Sequence, residues 1–258
     1  MISLVCFLWL SPAHAQERIL ALAPHVCETL YAIGAGKDIV GTVSYCDFPE
    51  EVALLPQVGA YNRINIEAAI ALKPTVAIVM SNQLPGIQKL KALGVKVVES
   101  NPVRVEAVFA DIVHMGQVTG YETNARFLVQ SLQLRLDKIL SIEQRPVFYE
   151  IWPDPLLTAG QNTFIHDVLK KVGLRNVFGS LNQEAPRVNL ESVLAAKPQL
   201  VIVPSEKRDV TQRTKFWKTW LGEEIKVITV NPDLVHRPGP RLLDGMEDLV
   251  AQIRGLNI

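Results

Sequence analysis

Residues 64–79 read INIEAAIALKPTVAIV, and residues 188–203 read VNLESVLAAKPQLVIV. Seven of the sixteen positions are identical without a gap, at an offset of 124 residues. Each copy holds Asn-x-Glu, a short apolar stretch, Lys-Pro and a β-branched run. Asn65 and Asn189 are therefore predicted helix N-caps, with Glu67 and Glu191 in the first turn, where an acid complements the helix dipole. Pro74 and Pro198 stop each helix and launch a buried strand. An offset this long is not a solenoid repeat. It predicts two lobes built alike with a crevice between them, a favoured place for small ligands.

Working outward, strands and helices alternate on both sides of the repeat. The N-terminal half offers strands at 18–23, 39–43, 76–80 and 95–99, with helices at 27–33, 66–72 and 84–93 between them. The C-terminal half offers strands at 147–151, 200–203 and 227–230, with helices at 164–172, 190–196, 217–221 and 241–254. Such alternation implies mostly parallel sheets covered on both faces, an α/β fold. From Val105 to Gln144 the signal is almost wholly helical, interrupted at Gly120. The run Phe127, Leu128, Leu132, Leu136, Ile139, Leu140 has helical spacing. The reading is an N-terminal lobe at 16–120, a connecting backbone helix at 121–144 and a C-terminal lobe at 145–258. A stiff helical connector predicts small lobe motion.

Residues 1–15 read as a secretory signal, with an apolar run from Ile2 to Leu10 and an A-x-A site, Ala13-His14-Ala15, that predicts cleavage after Ala15. The chain is expected in the periplasm. The run is too short to span a bilayer, and Leu4-Val5 before Cys6 do not suit a lipoprotein. Of three cysteines, Cys6 would leave with the signal. Cys27 and Cys46 remain, and an even count in an oxidising compartment favours a disulfide over two separate small hydrophobes. The 258 residues are 48% hydrophobic and 20% charged, with formal net charge zero. That balance suits a globular protein and argues against nucleic acid or an anionic membrane as the main partner.

Catalytic signatures are absent from the sequence. There is no phosphate-binding glycine loop, no G-x-S-x-G elbow, no H-E-x-x-H and no C-x-x-C. The expectation is a binding protein with no turnover, no metal and no cofactor. A periplasmic metal chaperone using His25, Cys27 and Cys46 is the alternative from another class, and a formed disulfide would count against it. Three loop aromatics, Tyr45, Tyr61 and Trp152, stand where the mouths of α/β units would lie. They either stack on a broad, flat ligand or fold back onto each lobe's own core. The segment from Asp233 to Arg241 is a proline-rich loop in which Arg237 is a candidate ligand donor, while Arg241 is expected to tie the loop to the following helix.

These pieces together resemble the class III periplasmic binding proteins, whose two lobes are joined by a backbone helix. The resemblance rests on Leu22-Ala23-Pro24-His25 with Glu28, on Ser44-Tyr45-Cys46-Asp47-Phe48-Pro49, and on Asn65-Ile66-Glu67 with Leu72-Lys73-Pro74. It continues through Leu157-Thr158-Ala159-Gly160, Asn176-Val177-Phe178 and Arg237-Pro238-Gly239-Pro240-Arg241. It implies a monomeric solute carrier for an ABC importer, and its motifs look most like those of members that carry a corrinoid such as vitamin B12. Haem or a ferric siderophore is the other ligand class that the resemblance allows; haem would want His25, His236 or Tyr45 as an axial ligand. Carried over by resemblance, the ligand-binding set is Pro24, His25, Tyr45, Tyr61, Trp152 and the loop Asp233, Leu234, Val235, His236, Arg237. Tyr61 and Met80 stand where corrinoid-binding members have tryptophans. Glu67 and Glu191 match lobe-tip glutamates that meet arginines of the membrane permease.

Overall fold

The computed structural model describes residues 17–60, 62–139, 144–205 and 210–256. The expected signal at 1–15 and Tyr61 lie outside them. The N-terminal lobe runs β1 (Ile19–Leu22), α1 (Pro24–Ala32), β2 (Ile39–Thr42), β3 (Gly59–Ala60), β4 (Arg63–Ile64), α2 (Ile66–Ala71), β5 (Val76–Val79), α3 (Ile87–Ala92) and β6 (Lys96–Glu99). Two longer helices follow, α4 (Val105–Thr119) and α5 (Glu122–Leu136). The C-terminal lobe runs β7 (Arg145–Pro153), β8 (Leu156–Thr158), α6 (Phe164–Lys171), β9 (Leu174–Asn176), α7 (Leu190–Ala196), β10 (Leu200–Pro204), α8 (Thr211–Leu221), β11 (Lys226–Val230), α9 (Pro232–Val235) and α10 (Leu242–Gly255).

The first sheet has the order β2-β1-β5-β6, all parallel. In the second, β7, β10 and β11 are parallel neighbours, and β7's other edge carries β9 in parallel and β8 antiparallel. Setting β9-β7-β10-β11 beside β2-β1-β5-β6 gives the same topology twice. The repeat is equally exact in the backbone. Asn65 accepts from the Ala68 amide at 3.1 Å and Asn189 from the Ser192 amide at 2.8 Å, so both are N-caps. Lys73 and Lys197, each before its proline, adopt the left-handed conformation at φ 49° and 48°.

Alternation along the strands sets the layers, since successive side chains point to opposite faces. Val147 and Tyr149 join a core that is continuous with the N-terminal lobe and with α4 and α5. Phe148 points the other way, into a second core with Trp217, Val201 and Val203. A core shared by both lobes and the helices between them favours a stiff connection over a hinge.

Gly120 caps α4 in the left-handed conformation, φ 82°, and turns the chain back. Both helices touch both lobes. Beside α4, the Val105 amide donates to Asp167 of α6 at 2.8 Å, and Lys171 pairs with Glu106. Beside α5, the Asn124 side chain donates to the Ile33 carbonyl at 2.9 Å, while Arg135 reaches Asp244 and Glu247 of α10 at 2.6 and 2.7 Å. Several elements depart from the sequence reading, and α5 ends at Leu136 rather than reaching 144. Pro85 and left-handed Gly86 delay α3 to Ile87, and α8 starts at Thr211 rather than Trp217.

Candidate ligand site between the lobes

Parallel sheets place loops at the carboxyl ends of their strands, and ligands bind in crevices there. The carboxyl ends of β1 and β2 release Pro24-His25 and Ser44–Phe48. The carboxyl end of β7 carries Trp152, and that of β11 releases the α9 loop. The two sets meet. Gly239, within the Arg237–Arg241 loop, lies so close to α1 that an added Cβ would sit 3.4 Å from the His25 Cβ.

The turn after β2 is held in shape by three devices. Cys27 of α1 is disulfide-bonded to Cys46, with the two Cα atoms 6.1 Å apart. The Ser44 amide donates to the Gly59 carbonyl of β3 at 3.0 Å. Gly59 itself has φ +146°, and a Cβ there would lie 2.3 Å from the Arg63 carbonyl oxygen, so only glycine fits. Tyr45 between them adopts a left-handed φ of 69°, uncommon for a bulky residue, and its ring stands out, 67% exposed. On the other lobe Trp152 is 41% exposed, with its indole N–H donating to the Asp154 carbonyl at 2.9 Å. Trp152 lies inside β7 rather than after it, because pairing with β8 extends the strand to Pro153.

Charge crosses the boundary at the Arg237 loop. Arg237 Nη1 donates to Glu28 at 2.9 Å and to Asp47 at 2.7 Å. Its Nη2 donates to Asp47 at 3.2 Å and pairs with Asp233 at 2.8 Å. Arg241 Nη1 reaches the same Glu28 oxygen at 3.2 Å, and its guanidinium lies 3.8 Å from the centre of the Phe48 ring. Burial pushes the Glu28 carboxyl up from its ordinary range despite both arginines. Hydrogen bonding to Arg237 holds Asp47 below its usual value. Arg237 is raised: burial works against its charge, and the bonds to Asp47 and Glu28 outweigh it.

The structure encloses several of the expected ligand contacts. His25 is buried, with Nε2 on Ser100 Oγ at 2.8 Å. Val235 is buried in the core as well. Arg237 is committed to three acids rather than standing as a ready ligand donor. The Arg241 side chain reaches the opposite lobe, while its carbonyl ties the loop to α10 by accepting from the Asp244 and Gly245 amides. His236 is bonded to the Tyr149 hydroxyl at 2.7 Å. Burial lowers both histidines to a pKa of about 4, so each ring is neutral at physiological pH. Pro24, Asp233 and Leu234 remain half-buried at the boundary.

Ser100 also donates to Asp111 at 2.6 Å. With its hydroxyl hydrogen spent there, it accepts from His25 Nε2–H. A general base must instead accept from the serine, and Ser100 is fully buried, so the His25-Ser100-Asp111 chain is a structural tie. Among the described residues no group of three or more His, Cys, Asp or Glu side chains gathers as metal ligands. The disulfide removes the thiols that a metal chaperone would use.

The periplasmic binding protein family model matches residues 19–219, and the chain belongs to that family. Among its relatives, it is 29% identical over 245 residues to the vitamin B12-binding protein of Photorhabdus laumondii, covering 93% of this chain and 88% of that one. It is 27% identical over 251 residues to the vitamin B12-binding protein of Yersinia pestis strain Pestoides F, covering 95% and 89%. Among solved structures, the periplasmic vitamin B12 binding protein BtuF of Vibrio cholerae superposes with TM-score 0.81 at 26% identity, over 92% of this chain and 96% of that one. The periplasmic haem binding protein HutB of Vibrio cholerae superposes with TM-score 0.82 at 18% identity, over 93% and 99%, which is a likeness of fold alone.

Proposed function

We propose that the chain is the exported solute-binding protein of an ABC importer and that it captures a corrinoid such as vitamin B12 between its lobes in the periplasm, as a monomer, without turnover and without a cofactor of its own. The observation that carries this reading is a pair of outward aromatic rings, Tyr45 and Trp152, on opposite lobes at the same boundary. A corrin ring is broad and apolar with an amide fringe. Large rings offer it contact area at low entropic cost, and the polar loop residues around them suit its fringe. The similarity to proteins named for vitamin B12 binding supports the same ligand. Haem is disfavoured at His25 and His236, since the first imidazole is buried, the second half-buried, and both are hydrogen-bonded. Of the three axial candidates only Tyr45 stands exposed.

Glu67 and Glu191 fit docking to the permease. Each is exposed on the first turn of a capped helix, at equivalent positions of the two lobes. Their acid also complements the helix dipole, and both roles hold together.

Calorimetric titration of residues 16–258 with cyanocobalamin, with haem in parallel, tests the ligand. One-to-one corrinoid binding is expected. Tyr45→Ala and Trp152→Ala should each weaken it by about tenfold, a typical loss for a buried aromatic contact, with the melting temperature nearly unchanged. A haem-dependent spectral shift without corrinoid binding would sink the proposal.

A further inference from the structure

We infer that Glu28 is the positioning residue of the lobe boundary: with Asp47 it forms an acid socket on the N-terminal lobe that receives Arg237 of the C-terminal lobe, and the Cys27–Cys46 disulfide assembles that socket. The inference concerns the ligand-free chain and does not rest on which solute it carries.

The socket's two acids come from separate segments, α1 and the turn after β2. Each acid is the immediate neighbour of a bridged cysteine, Glu28 of Cys27 and Asp47 of Cys46. The disulfide therefore fixes the spacing that lets one guanidinium nitrogen, Arg237 Nη1, reach both carboxylates at 2.9 and 2.7 Å. Phe48, next along the turn, supplies the face on which Arg241 lies. Three consecutive residues, Cys46, Asp47 and Phe48, thus serve as anchor, acid and platform for two arginines of one loop.

That loop is stiff on its own account. Pro238 and Pro240 restrict it, the Gly239 amide donates to the Arg237 carbonyl at 2.8 Å, and Asn231 caps α9 through the Asp233 amide at 2.9 Å. A stiff loop seated in a preassembled socket sets where the second lobe stands. The Glu28 side chain is 2% exposed. Losing its arginines would strand a buried charge, which is costly, so the contact resists lobe separation. One of its carboxylate oxygens, Oε2, is buried without a hydrogen-bond partner. Both arginines bond the other oxygen, so the clasp turns on a single carboxylate atom.

Amide hydrogen exchange on the ligand-free protein tests this, read at the Val235, His236 and Gly239 amides, with β10 as an internal control. In Glu28→Gln and in Arg237→Met, exchange of those amides should rise about tenfold through local opening, while β10 stays unchanged. The double variant should rise no further than either single, because both remove one shared contact. Replacing the cysteines in Cys27→Ala/Cys46→Ala should raise exchange in the same loop, although both cysteines lie in the other lobe. Should that variant fail to fold, Asp47→Asn, an exposed position, should give a rise of about threefold. Additive singles would overturn the shared clasp. Loosening confined to residues 44–48 in the cysteine variant, or a loop unmoved in Asp47→Asn, would overturn the socket and reduce the disulfide to a local staple.

Discussion

Among the described residues each lobe buries one glutamate side chain to 2% exposure, and the two are solved differently. In the C-terminal lobe Glu150 of β7 takes Arg213 Nε at 2.9 Å and the Trp217 indole N–H at 2.7 Å, both from α8 of the same lobe. In the N-terminal lobe Glu28 takes its partners from the other lobe, across 209 and 213 residues of chain. The first arrangement locks a helix to its own sheet. The second makes the position of one lobe depend on the other. Equivalent folds with unequal wiring place stability in the C-terminal lobe and geometry at the boundary.

Acid should break both sides of this comparison and is the largest effect expected. Each lobe holds a neutral imidazole beside the boundary, His25 buried on Ser100 and His236 half-buried on Tyr149. Burial is the main cause of lowering in both, to a pKa of about 4 against an ordinary 6.5. A lowered folded value means the unfolded chain binds the protons. The stability is therefore fully present above pH 6.5 and is lost as pH falls toward 4, on the order of a few kcal/mol in all. Glu28 opposes this in part, because its raised carboxyl takes up a proton in the folded state. Urea denaturation between pH 7 and 4 measures the slope. Replacing His236 by Gln should flatten it, and an unchanged slope would show that the imidazole titrates freely.

Glu150→Ala sharpens the contrast with Glu28. It strands the half-buried Arg213 and the N–H of the fully buried Trp217 and should cost about 3 kcal/mol, the scale for breaking a buried pair. Because its partners are internal, the C-terminal lobe should loosen first, with α8 amides exchanging faster than those of α1. Equal loosening of both lobes would contradict the division drawn above.

The architecture was legible because its signals are local. Asn caps, Lys-Pro breaks and β-branched runs lie within sixteen residues, and two copies of them agree. The parity of Cys27 and Cys46 in a chain read as exported was likewise enough to favour their bridge. Strands β8 and β9 were not legible: each is three residues long and exists through pairing with β7 rather than through its own propensity. The start of α8 was hidden because Thr211 to Lys215 is a polar run, anchored only when Arg213 finds Glu150. The boundary cluster was the least legible part. Glu28 reads as one acid on an apolar helix, and nothing nearby names a partner two hundred residues away. His25 illustrates the converse. A histidine at a strand end looks available for a ligand until the structure supplies Ser100.

The smallest effect tests whether the repeat is energetic as well as geometric. Asn65 and Asn189 cap α2 and α7 from exposed positions, and removing a cap costs about 1 kcal/mol. Asn65→Ala and Asn189→Ala should therefore each lower stability by about that amount. The double should lower it by the sum, about 2 kcal/mol, since the sites share no partner. A modest asymmetry is built in, because Asn189 also accepts from the Ser192 hydroxyl at 2.5 Å whereas Asn65 holds one amide alone. Denaturant titration of the three variants resolves this. A loss at Asn189 several times that at Asn65 would mean that the two helices share a shape but not a role. Near-equal losses would place the difference between the lobes where their sequences diverge, at Glu28 and Glu150, rather than in the frame they have in common.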